Sequence, residues 1–254
     1  MTNIECEKFV QIVLEFGRRM LESGAEVRRV EDTIERLCNA YGFSQCQVYA
    51  VVNQIILTVG DSTGRHYTQQ IRVKDIRNDL GLLEELNGAA RSLCNKKANV
   101  FYMLKSLSEI ENIQINPLYE LGGHMIASSS FAIFFGGNVN DGLAAALISL
   151  VVYGMNKIFS KSSINNIVYT VVACFVSGWL GIFFCRIGIG SSFDKIMIGD
   201  VMLFIPGLAI VNGAREIVYR DIFTGLFRLV EAVLVAAAIA LGFGLAIFPA
   251  GGNG

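Results

Sequence analysis

Residues Ile164 to Cys185 read INNIVYTVVACFVSGWLGIFFC, 22 consecutive positions without a formal charge. A helix needs about 20 apolar residues to cross the roughly 30 Å hydrocarbon core of a bilayer, so this stretch predicts a transmembrane helix. Four more apolar runs surround it, at Leu121 to Gly137, Gly142 to Met155, Ile196 to Ala214 and Ile222 to Phe248. With their flanks they predict spans at about 119–137, 141–159, 164–185, 196–214 and 222–248. Residues 119–254 therefore read as an all-α membrane bundle of five transmembrane helices joined by short connections.

Composition changes sharply at Pro117. Residues 1–118 hold 14 basic and 15 acidic groups, against 7 and 7 in the 136 residues that follow, while Gly rises from 7 to 19. The first half has ordinary soluble composition and the second is too poor in charge for a water-facing surface. A net charge of -1 gives no basic excess and excludes a nucleic-acid partner. The six Cys show neither a framework nor a CxxC pair, so they read as reduced thiols rather than a disulfide scaffold or metal ligands. The N-terminus MTNIECEKF is charged and amphipathic, unlike a secretion signal. No cofactor is expected.

Within residues 1–118 the apolar positions Ile4, Phe9, Ile12, Val13, Phe16, Met20 and Leu21 follow a helical period, with Gly24 as a stop. A second helix from Glu26 to Ala40 ends at Gly42. Gln45 to Val59 alternates as one strand, Asp61 to Gly64 is turn chemistry, and Arg65 to Val73 completes a hairpin. Helical periods return over 78–96 and 99–113. The order ααββαα predicts a cytoplasmic α+β domain. His66 and the Arg28-Arg29 pair offer no defined catalytic arrangement there.

Lys and Arg set the orientation. With the soluble domain inside, the inner connections hold Lys157, Lys161, Arg215 and Arg220, and the outer ones hold Arg186 and Lys195. This predicts a cytoplasmic N-terminus and an external C-terminus in the plasma membrane.

Ionisable groups at membrane depth are costly unless paired or hydrated, and the fourth and fifth spans hold several. Pro206 removes an amide donor, and Gly207 beside it weakens the helix further, which predicts a break of the kind that carries substrate or ion in transporters. Asp200 precedes the break; Asn212, Arg215 and Glu216 follow it. Asp221 is placed to cap the fifth span, where Arg228 and Glu231 stand three residues apart. A guanidinium matches a carboxylate in a two-point fork, so Arg215 or Arg228 could hold a small carboxylate or amino-acid substrate. The alternative is an internal lock, Arg228 to Glu231 or Arg215 to Asp221. His124, near the start of the first span, is a candidate proton relay, and Ser128 to Ser130 read as small residues for close helix approach.

Gly24-Ala25-Glu26-Val27-Arg28-Arg29-Val30-Glu31, the Val51 to Val59 strand, Pro206-Gly207, Asn212-Gly-Ala-Arg215-Glu216 and then Asp221, Gly225, Arg228 and Glu231 together resemble the threonine/serine exporter family. The resemblance spans essentially the whole chain. It implies proton-driven export of small hydroxy amino acids through spans that follow a cytoplasmic domain. Five spans instead of about ten resemble the short, split type, which implies a second small membrane subunit and adds dicarboxylates such as succinate as substrates; a homo-oligomer is the other assembly left open. Two further readings are a membrane-anchored enzyme and a metabolite sensor, each acting through the cytoplasmic domain.

Overall fold

The computed structural model describes residues 3–43, 45–61, 63–74, 76, 78–96, 99–110, 116–159 and 164–248. The predicted external C-terminus at 249–254, the end of the helix predicted over 99–113, and Lys161 of the inner loop lie outside the described residues. By contacts the chain forms two compact units, Met1–Gln114 with Leu208–Leu229, and Ile115–Gly207 with Val230–Gly254.

The first unit opens with helices α1 (Asn3–Glu22) and α2 (Val27–Ala40), continues through strands β1 (Gln45–Val51), β2 (Gln54–Gly60) and β3 (His66–Arg72), and returns to helix in α3 (Leu80–Lys96) and α4 (Val100–Ile110). Phe9, Val13, Phe16 and Met20 recur every three or four residues and are fully buried, which makes α1 the centre of the core. Ile34 and Leu37 of α2, Leu86 and Leu93 of α3 and Met103 of α4 surround it. Gly24 ends α1 at φ 89°. There the amides of Gly24 and Ala25 return to the carbonyls of Leu21 and Met20, a closure that requires the left-handed conformation glycine adopts freely.

The sheet corrects the strand count. Instead of one strand over Gln45–Val59 there are two, turning at Val52-Asn53, and β3 completes an antiparallel sheet in the order β1-β2-β3. Ala50 faces Ile55, Val48 faces Leu57 and Cys46 faces Val59. The buried set is even-numbered before the turn and odd-numbered after it. A continuous strand would have sent Ile55, Leu57 and Val59 to the face opposite Ala50. At the β2–β3 connection the Asp61 carboxylate accepts from the amides of Thr63 and Arg65 and from the Thr63 hydroxyl. Those bonds, the Thr63 hydroxyl foremost, hold its pKa down to about 2.

The second part of the chain contains α5 (Pro117–Phe134), α6 (Val139–Phe159), α7 (Asn166–Arg186), α8 (Phe193–Val201), α9 (Gly207–Val218) and α10 (Ile222–Ile247). Among the described residues, α6, α7 and α10 are the three helices long and apolar enough to cross a membrane. The stretch predicted as a fourth span, 196–214, is not one continuous helix: α8 stops at Val201 and α9 starts at Gly207, with Pro206, which has no amide to give, in the gap. Composition placed α9 with the membrane bundle. By contacts it belongs to the compact unit of the N-terminal domain, together with the first residues of α10.

Candidate functional site

The turn between α1 and α2 is where the predicted polar residues of α9 and α10 gather. Asn212 Nδ2 donates to the Gly24 carbonyl at 3.1 Å. Arg228 Nη2 donates to the Ala25 carbonyl at 2.8 Å. Glu216 Oε1 accepts the Val27 amide at 2.7 Å. Arg215 pairs with the Glu26 carboxylate, so its partner is Glu26 rather than Asp221. Four side chains from 212–228 thus hold four successive residues of a turn nearly two hundred positions earlier.

The cluster is dry. Glu216 is 1% exposed and Arg228 3%, while Arg215 keeps a half-exposed side chain. Glu216 Oε2 and the Thr224 hydroxyl are buried with no hydrogen-bond partner among the described residues. A buried carboxylate oxygen left unpaired costs free energy that a donor of suitable shape would recover.

A close helix contact and the turn between the two helices hold the cluster in register. Gly213 and Gly225 bring α9 and α10 into backbone contact: a Cβ on Gly225 would stand 2.5 Å from the Gly213 carbonyl oxygen. Between the helices Arg220 takes φ 71°, rare for a residue with a side chain, and Asp221 then accepts the Thr224 amide at the start of α10, at 3.3 Å. Arg28, just past the turn, lies over the Tyr219 ring at 4.7 Å from its centroid, a cation–π contact.

Other predicted residues lie elsewhere. Asp200, in the last turn of α8, is wholly buried; its Oδ1 accepts the Ser128 hydroxyl at 2.6 Å, and its Oδ2 has no partner among the described residues. Ser128 therefore serves as a donor to a buried carboxylate as well as a small residue at a close approach. Gly199 beside it also lies against the Ser128 carbonyl. Pro206 and Gly207 mark the gap before α9, and Glu231 is exposed on α10. His124 of α5 is half-buried, tilted against Tyr153 at 5.5 Å, with Nδ1 unpartnered among the described residues.

Sequence reasoning missed Asp141. Its Oδ1 accepts the amides of Ser191 and Ser192 at 2.6 and 2.9 Å, and Asp141 and Asn138 exchange side-chain-to-amide bonds at the start of α6. The Asn-x-x-Asp spacing of a capping box was the available signal; that the same carboxylate also anchors the loop before α8 had none.

No curated protein and no solved structure matches the chain. The sequence profile of one family, ThrE, described as "Putative threonine/serine exporter", matches residues 11–248. With a match over nearly its whole length, the chain belongs to the threonine/serine exporter family.

Proposed function

We propose that the chain is a subunit of a plasma-membrane exporter whose substrate is held by Asn212, Arg215, Glu216 and Arg228. The carrying observation is the chemistry of the buried cluster: a guanidinium and an amide side chain bind carbonyl oxygens while a carboxylate binds an N–H. An α-amino acid presents the same two kinds of group, a carboxylate for the donors and an ammonium for the acceptor. Among the substrate classes of the family Glu216 favours amino acids, because its carboxylate gives an ammonium an anionic partner that the second carboxylate of succinate would not find there. Threonine- or serine-like amino acids are the favoured cargo.

Asp200 is the coupling group in this reading. A fully buried carboxylate with one oxygen unpartnered among the described residues, next to a helix break, suits a site that takes up and releases a proton as solvent access changes. His124 is the second candidate for proton handling. The three long apolar helices, with α5 and the α8–α9 stretch as further membrane segments, make the five-span arrangement, N-terminus cytoplasmic and C-terminus outside. A second five-span subunit completes the pathway.

Efflux from cells preloaded with labelled threonine, serine or succinate tests the assignment. Arg228→Ala should lower amino-acid efflux by about tenfold or more, the equivalent of roughly 1.4 kcal/mol of lost interaction, while the protein still inserts. Unchanged efflux in that variant removes the site. Succinate efflux that exceeds amino-acid efflux removes the substrate class.

A further inference from the structure

We infer that the α1–α2 turn is a tethered occupant of the substrate site, and that it must leave before cargo can bind. This rests on the site proposed above and adds its regulation. Four polar contacts that the turn makes there use groups that cargo would need. The Ala25 carbonyl takes Arg228, the Gly24 carbonyl takes Asn212, the Val27 amide takes Glu216 and the Glu26 carboxylate takes Arg215.

The fit is good but incomplete, which makes the occupant displaceable. A peptide amide offers Glu216 one N–H, and Oε2 stays without a partner among the described residues; an ammonium offers three donors and can serve both oxygens. A neutral carbonyl gives Arg228 one uncharged acceptor, whereas a carboxylate gives a charge-assisted bond, roughly twice as strong. At Glu216 and Arg228 an amino acid therefore offers better partners than the turn does, while the turn, which also gives Arg215 the Glu26 carboxylate, binds without any loss of translational freedom because it belongs to the same chain. A ligand with this advantage shifts the equilibrium between turn-in and turn-out states in proportion to its concentration. The exporter would stay closed at low internal amino-acid concentration and open as the pool rises.

Arg28 and Tyr219 provide the handle, since they meet beside the turn and neither belongs to the proposed binding set. In a background without the native cysteines, Arg28→Cys and Tyr219→Cys are combined and joined in membranes by a short, reductant-cleavable bis-methanethiosulfonate, with each single variant as control. Threonine efflux should stay within about twofold of the parent before cross-linking, fall by about tenfold once the turn is held down, and recover on reduction. A second readout uses Ser23→Cys: Ser23 is 1% exposed, and its maleimide labelling should accelerate when saturating threonine displaces the turn. Parental efflux through the cross-linked protein, or labelling that ignores threonine, overturns the tethered occupant. If Arg228→Ala has meanwhile abolished efflux, the substrate site stands without it; if Arg228→Ala transports normally, the site falls as well.

Discussion

At the scale of single residues, the polar groups of 212–228 stood out in the sequence because they interrupt apolar runs, but their partners did not. Arg228, Asn212 and Glu216 bind main-chain groups of residues 24–27, and a backbone carbonyl carries no residue-type signal. Pairing by charge alone therefore pointed to Asp221 or Glu231, carboxylates a few residues away along the chain. Removal of a side-chain hydroxyl tests the other buried site. Ser128→Ala leaves Asp200 Oδ1 without its donor and should lower stability by about 1–3 kcal/mol, read as the thermal unfolding midpoint in detergent. Glu31 supplies a pH test outside the membrane segments. Its carboxylate accepts the Ala50 amide at 2.9 Å. Burial pushes its pKa up, with nearby Asp221, Glu35 and Glu216 adding to the rise and the Ala50 amide opposing it. A folded pKa above the unfolded one means the protonated form favours folding. The contribution is complete below the unfolded value of 4.5 and is lost as pH climbs through the folded value. Glu31→Gln should flatten the unfolding midpoint across that window; an unaltered slope would show that Glu31 is not the group responsible.

At the scale of elements, helix faces and stops were readable because burial repeats with the helical period and Gly24 and Gly42 close the first two helices with positive φ. The break before α9 was readable from Pro206. The extra strand was readable in principle, from the change of apolar parity between Ala50 and Ile55, but alternation scored over a window of 15 residues averages that slip away. Helix packing was only partly legible. Gly225→Ala places a methyl group 2.5 Å from both the Gly213 carbonyl and Ile217 Cγ1, which should cost about 1–3 kcal/mol through overpacking. Gly207→Ala meets nothing within 4 Å and is the control, expected to leave the unfolding midpoint within about 0.5 kcal/mol of the parent. Equal effects of the two would mean that α9 and α10 do not touch at that point.

At the scale of the whole molecule, composition divides the chain once, at Pro117, whereas contacts divide it so that Leu208–Leu229 joins the N-terminal residues. Composition averaged over the whole second half hides this, although 208–229 holds five charged residues, Arg215, Glu216, Arg220, Asp221 and Arg228, and is tied to residues 24–27 by a handful of hydrogen bonds. Orientation is a molecular property too. Reporter fusions should place the N-terminus inside and the C-terminus outside, as the Lys and Arg distribution predicts, and an externally labelled N-terminus would reverse it. One local feature bears on how any such exporter can move. Where the main chains of α9 and α10 touch at Gly213 and Gly225, no layer of flexible side chains lies between them to allow shear. A contact of this kind couples the two helices, so a displacement of one carries the other with it.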